Sequence, residues 1–222
     1  MITICHLGIS QSDRIVWLME ELGLPYRLQA FTRHSSGYAP DELKAVHPLG
    51  RAPVIRDEGV VLAESGAIVE YICHRYANGR LWVRPDAPNY ADFLFWLHTA
   101  PGTLSPMSMY RMFAHRADHR DLDHIMVHFL EQFDILLGML DAQLGRHPFV
   151  GGEDLTAADI MIAYPLTTWT RYNGLDLTPY PNIRAYVRRI EARPAYIRTM
   201  DIAGPDRGAG LPAQYTLADP RA

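Results

Sequence analysis

The sequence predicts an α/β domain followed by an all-helical domain, on three observations. Residues from Ile2 to Tyr76 alternate short apolar runs with helical patterns, in the order β-α-β-α-β-β-α. A cluster of Asn78-Gly79, Pro85 and Pro88 then interrupts all periodicity. Beyond it every apolar pattern has helical spacing. The expected division is residues 1–78, a linker over 79–88, and residues 89–222.

Each element has a local reason. Ile2 to Leu7 is apolar and short enough for a strand. Asp13 to Leu22 places Ile15, Val16, Leu18, Met19 and Leu22 on one face of a helix, and Gly23 and Pro25 stand where a helix stops. Tyr26 to Phe31 follows as a second strand, then a polar loop from Thr32 to Tyr38 and a short helix from Pro40 to Val46. Pro53 to Arg56 and Val60 to Ala63 bracket Asp57-Glu58-Gly59, which predicts a hairpin with a bulge. Ser65 opens a helix carrying Ile68, Val69, Ile72 and Cys73.

In the second part, Asn89 to Ala100 is one helix. Pro101-Gly102 and Pro106 are expected to break it before Met107 to Ala114 resumes. Leu122, Ile125, Phe129, Leu130, Phe133, Leu136, Leu137, Leu140 and Leu144 keep core-facing spacing. Thr156-Ala157-Ala158-Asp159 forms an acidic capping box, flanked by Leu155 and Ile160 as a hydrophobic staple. A last helix runs from about Ile183 to Ala192, with another apolar turn after Pro194. The tail from Ala203 is rich in Gly, Pro and Ala and is expected to be loosely ordered.

Composition narrows the function. Of 222 residues, 48% are hydrophobic, which suits a packed core and excludes a disordered chain. The net charge of −4 and pI near 6.2 argue against nucleic-acid binding. Lys44 is the only lysine among 21 basic residues, so lysine chemistry has one candidate, in a polar stretch. Cys5 and Cys73 are too few for a zinc site or a disulfide framework. No signal peptide or membrane span is evident, and a soluble, cytoplasmic protein is expected.

Four segments carry candidate chemistry. Ser10-Gln11-Ser12-Asp13-Arg14 sets hydroxyls at a helix N-terminus, where orphan N–H groups and the helix dipole favour an anion. His47-Pro48-Leu49-Gly50-Arg51-Ala52-Pro53 enters a strand through a candidate cis-proline. Glu64-Ser65 begins a helix that Ser65 can cap, with Glu64 beside it to accept an ammonium group. The fourth is the capping box. Read alone, each of these is ordinary helix capping or turn chemistry.

Together they resemble the glutathione transferases. Residues 9–26 look like the opening of bacterial members, and His47 to Val54 is similar to the turn into the family's cis-proline. Glu64-Ser65-Gly66-Ala67-Ile68 resembles its Glu-Ser motif. Asp154 to Asp159, Tyr180 to Ile183 and Ala192 to Tyr196 resemble its helical domain. The resemblance covers residues 1–200 and implies a thioredoxin-like domain followed by a helical one. It implies glutathione as co-substrate, no metal, a small apolar electrophile as second substrate, and a homodimer.

The implied roles follow residue by residue. Ser10, four positions before Arg14, would donate a hydrogen bond to the glutathione sulfur, with Ser12 as its rival. Lowering the thiol pKa by one unit takes about 1.4 kcal/mol, within reach of charge-assisted hydrogen bonds. Glu64 and Ser65 would hold the γ-glutamyl group, and the main chain of Ala52, before Pro53, would pair with the glutathione backbone. His47 or Arg51, or Arg33 or His34, would face the glycine carboxylate. Met107, Met109, Tyr110, Phe113 and Tyr164 are candidates for the electrophile site.

The chain departs from the pattern in places. Ala52 and Gly66 are smaller than many relatives have, and Arg51 stands where many have lysine. No Tyr lies near Ser10 and no Cys at positions 10–13, which disfavours the tyrosine- and cysteine-type mechanisms. His115, His119, His124 and His128 form two i, i+4 pairs, read as a solvated helix–loop–helix tip rather than a metal site. The rival readings are another glutathione-dependent reaction (dehalogenation, peroxide reduction or isomerisation) and a non-catalytic binding module.

Overall fold

The computed structural model describes residues 1–34, 37–116, 124–170 and 175–204, without the side chains of 113–116 and 126. Contacts divide the chain into two units: Met1–Trp82 with the segment beginning at Glu191, and Val83–Ile190.

The first unit is built on a four-stranded sheet of order β2-β1-β3-β4. β1 (Ile2–Leu7) pairs in parallel with β2 (Tyr26–Phe31), and β3 (Val54–Asp57) runs antiparallel to both β1 and β4 (Val60–Ala63). The β3–β4 turn differs from expectation. Asp57 pairs directly with Val60, so the turn has two residues and no bulge. Glu58 and Gly59 take φ of 45° and 90°, the positive pair that a tight hairpin requires.

Helix α1 (Asp13–Leu22) ends as the sequence indicates. Gly23 adopts φ 64° and donates its N–H to the Glu20 and Met19 carbonyls. α2 (Asp41–Val46) and α3 (Ser65–Tyr76) complete the motif. Leu43 of α2 packs with Cys5, Leu7 and Val54.

α1 is buried on more than one face, which periodicity alone does not predict. The reason is α9 (Pro194–Ala203), which lies in the segment expected to close the helical domain but packs on α1. Trp17 meets Tyr196 edge to face at 5.2 Å. Arg193 grips Glu21 through two hydrogen bonds of 2.6 and 2.9 Å, and Arg198 donates to Glu20 at 2.7 Å. An amphipathic turn shows in the sequence, but the element that covers it does not.

The second unit is helical. α4 (Tyr90–Thr99), a π-helical turn (Ala100–Leu104) and α5 (Ser105–Arg116) follow without a break. The expected interruption at Pro101 and Pro106 does not occur. The wider π turn contains Pro101, and Pro106 sits in the first turn of α5, where no N–H is needed. In α6 (His124–Arg146) the core stripe is real from Phe133 to Leu144, but Ile125 and Phe129 are exposed, and Leu122 lies outside the described residues. α7 (Ala157–Leu166) is buried along its whole length. α8 (Pro181–Glu191) is anchored by Asp141 of α6, which accepts the Asn182 and Ile183 N–H groups, each at 2.9 Å. The capping box is formed as expected. Of the tail from Ala203, only Ala203 and Gly204 are among the described residues. Among the described residues no helix is long and apolar enough to cross a membrane.

Candidate active site

β1 hands the chain to a turn at Gly8–Ser12 in which Ile9 takes φ 55°, an unfavourable conformation for a β-branched residue. Arg33 holds that turn. Its Nε donates to the Gly8 carbonyl at 3.0 Å, Nη2 to the Ile9 carbonyl at 2.9 Å and Nη1 to the Gly37 carbonyl at 2.9 Å. Arg33 was a candidate for the glycine carboxylate, and the structure makes it a backbone clamp. The alternative, His34, is exposed.

The two serines separate clearly. Ser12 is the N-cap residue of α1, yet its hydroxyl caps nothing, because its backbone is already helical at φ −68°, ψ −20°. The Oγ turns inward instead and is fully buried. It lies 2.8 Å from His6 Nδ1 and accepts the Leu7 N–H at 3.3 Å. Ser10 Oγ is 2.6 Å from Ser12 Oγ and accepts the Ser12 N–H at 3.2 Å. Ser10 is half-buried, so of the two serines it is the one with solvent exposure.

Arg14 is 1% exposed. Its guanidinium donates to Gln11 Oε1 and, at 3.1 Å, to Ser65 Oγ. The Ser65 hydroxyl in turn donates to Gln11 at 3.4 Å. This corrects the capping role expected of Ser65: Glu64 is the N-cap residue of α3, and the Ser65 side chain is tied to α1. Glu64 is exposed and takes φ 70°, a strained setting that fixes where its carboxylate leaves the chain.

The loop before β3 carries the remaining candidates. The Ala52–Pro53 bond is cis; Pro53 is buried and Ala52 half-buried. Gly50 takes φ 57°, and a Cβ there would stand 2.6 Å from Lys44 Cγ, so a side chain there is strained and must displace Lys44. Half-buried His47 accepts the Leu49 N–H at 3.4 Å, and Arg51 is exposed. The structure thus joins Ser10 to Ser12 and Arg14 to Ser65.

In the helical unit Met107 is half-buried, while Met109 and Tyr110 are 46% and 48% exposed. Tyr164 is buried and stacks on Trp169. The Phe113 side chain, that of His115, and all of His119 lie outside the described residues. His128 faces Glu131 at 3.9 Å, both exposed.

Two features of the site were not read from the sequence: Gln11 as the shared acceptor of Arg14 and Ser65, and His6. The available signal for His6 was a polar residue inside an apolar strand. Burial pushes the His6 pKa down to about 4, against a hydrogen bond to the Ala203 backbone. Unfolded histidine titrates at about 6.5, so the native state is favoured by the neutral ring above that pH. This stability is expected to fall away as pH drops from about 6.5 to about 4, by up to about 3 kcal/mol. Urea unfolding at several pH values checks this, and His6→Asn is expected to flatten that part of the profile. Both cysteine thiols are raised by burial, Cys73 to about 12, so neither is poised as a nucleophile.

Comparison with known proteins agrees with this architecture. The thioredoxin-like sheet domain and helical second unit define the class. The family described as Glutathione S-transferase, N-terminal domain, matches residues 10–75, and Glutathione S-transferase, C-terminal domain, matches 114–189. The chain is 30% identical to glutathione S-transferase 3 of Schizosaccharomyces pombe, over 88% of this chain and 85% of that protein. It is 27% identical to the disulfide-bond oxidoreductase YfcG of Escherichia coli, covering 88% and 92%. A glutathione S-transferase structure from Actinobacillus pleuropneumoniae superimposes with a TM-score of 0.83 at 34% identity, covering 94% and 97% of the two chains. A family member from Pseudomonas fluorescens, solved with two glutathione bound, shares the fold at a TM-score of 0.76 and 24% identity, covering 90% and 92%. The chain belongs to the glutathione transferase family.

Proposed function

We propose that this protein binds glutathione on its first unit and transfers the glutathione thiolate to small apolar electrophiles. The observation that carries the reading is the hydroxyl of half-buried Ser10, fixed beside the N-terminus of α1 by Ser12. A thiol of pKa about 8.5 is only a few per cent ionised at neutral pH, and a hydroxyl donor beside a helix terminus shifts it toward thiolate. Arg14 positions Ser65 and Gln11. Glu64 and the first turn of α3 take the amine and carboxylate of the γ-glutamyl group. Ala52 offers main chain to the peptide, and His47 or Arg51 takes the glycine carboxylate. Met107, Met109 and Tyr110 of α5, with Phe113 and Tyr164, are proposed for the electrophile.

The reaction forms one S–C bond and expels the leaving group with its electron pair; the thiol proton passes to solvent. We also place the protein in the cytoplasm, in detoxification, as a homodimer.

The name of the relative YfcG raises disulfide reduction as a second reading. Buried, proton-holding Cys5 and Cys73 leave that chemistry to a bound thiol as well. The two readings are separated by assaying conjugation of chlorodinitrobenzene against glutathione-dependent reduction of a small disulfide. Conjugation is expected to dominate; faster disulfide reduction contradicts the transferase reading. Glu64→Gln is expected to weaken glutathione binding about tenfold, by loss of a carboxylate facing the amine, and calorimetric titration checks it.

A further inference from the structure

Beneath Ser10 lies a polar chain that reaches the interior of the first unit. It runs from Ser10 Oγ to Ser12 Oγ at 2.6 Å, and on to His6 Nδ1 at 2.8 Å. The Ala203 backbone, at the end of α9, is a second hydrogen-bond partner for the imidazole. His6 is 5% exposed and Ser12 fully buried, so solvent does not compete for these bonds.

Proton counting gives the chain a direction. A neutral imidazole carries one N–H, and a backbone carbonyl can only accept it. With that N–H on Ala203, Nδ1 is the lone-pair nitrogen and accepts the Ser12 hydroxyl proton. Ser12 Oγ also receives the Leu7 N–H and lies 3.3 Å from the Leu7 carbonyl, a second inward acceptor, so its proton is directed away from a ligand. The 2.6 Å contact then has Ser10 Oγ donating to Ser12 Oγ, while the Ser12 N–H holds the Ser10 oxygen in place.

A second role, His6 as the base that removes the thiol proton, fails on magnitude. A ring titrating at about 4 lies more than four units below a thiol at about 8.5. Direct loss of the proton to water at neutral pH is easier.

We infer that His6 is a positioning residue: by engaging the Ser12 hydroxyl it fixes the Ser10 oxygen, whose proton turns from Ser12 Oγ onto a bound thiolate. This rests on the glutathione reading above. It also resolves the competition between the two serines, because Ser12 is committed inward. Loss of the imidazole leaves a void under Ser12, and both hydroxyls lose their fixed places.

The test uses the full chain with His6→Leu, His6→Asn and Ser12→Ala, each first checked for binding of S-methylglutathione. His6→Leu is expected to lower kcat for chlorodinitrobenzene about tenfold with KM for glutathione changed less than about twofold. The pKa of the bound glutathione thiol should rise toward its free value. His6→Asn, whose amide can hydrogen-bond Ser12, should recover most of the loss. If His6→Leu does not fold, Ser12→Ala carries the same expectation. Normal S-methylglutathione binding with native kcat and native thiol pKa in these variants overturns the inference. So does a His6→Asn protein that binds the analogue yet is as impaired as His6→Leu. A native protein that binds glutathione without perturbing its thiol overturns the functional reading together with this one.

Discussion

Replacing Asp159 with alanine is expected to destabilise the helical unit by about 3–5 kcal/mol. The carboxylate is fully buried and accepts four hydrogen bonds. Oδ1 takes the Val150 N–H at 2.9 Å and the Tyr186 hydroxyl at 3.2 Å. Oδ2 takes the Thr156 N–H at 2.8 Å and the Thr156 hydroxyl at 3.0 Å. Alanine removes the shared acceptor of four buried hydrogen bonds, and such losses are costly inside a core. Burial pushes the Asp159 pKa up to about 6, against the pull of the four donors. Its folded pKa therefore lies above the unfolded value, so this group's contribution is full in acid and declines as pH rises to about 6. Asparagine is expected to cost nearly as much, since its amide nitrogen turns a donor toward donors. Thr156→Ala removes one hydroxyl and should cost only about 1 kcal/mol. Urea unfolding at neutral pH ranks the three variants.

Ser10→Ala is expected to have the largest effect on turnover, a fall of about 100-fold in kcat with little change in glutathione affinity. The alanine keeps the Gly8–Ser12 turn, because Arg33 holds it through backbone carbonyls rather than through the serine. What it removes is the Ser10 hydroxyl. Ser12→Ala acts through Ser10 and should cost less. Steady-state kinetics with chlorodinitrobenzene, at saturating glutathione, separates the two.

The contrast between these variants follows from what sequence can reveal. β1, α1, β2 and β4 keep their expected ends because apolar period, Gly23 and the turn residues act locally. The capping box was legible for the same reason: Thr156 and Asp159 are three residues apart. The wide reach of Asp159, to Val150 and Tyr186, was not, since those partners meet it only after α7 and α8 pack. Ser10, Arg14, Glu64 and Ser65 could be singled out by motif, but not by what they touch. Ser65 looked like a cap and is bound to Arg14, 51 positions away. Arg33 looked like a ligand cation and is a clamp. His6 gave only the weak sign of a polar side chain in an apolar strand. Pro101 and Pro106 misled because a π turn and a helix start both tolerate a missing N–H.

The central claim is that Ser10 activates a thiol bound on the first unit. The most direct measurement is the ultraviolet thiolate absorbance of bound glutathione against pH, for the native protein and for Ser10→Ala. The native complex is predicted to ionise at least about one unit below the free thiol value of about 8.5, with Ser10→Ala restoring that value. A native complex that ionises like free glutathione, or a Ser10→Ala complex that ionises like the native one, would contradict it.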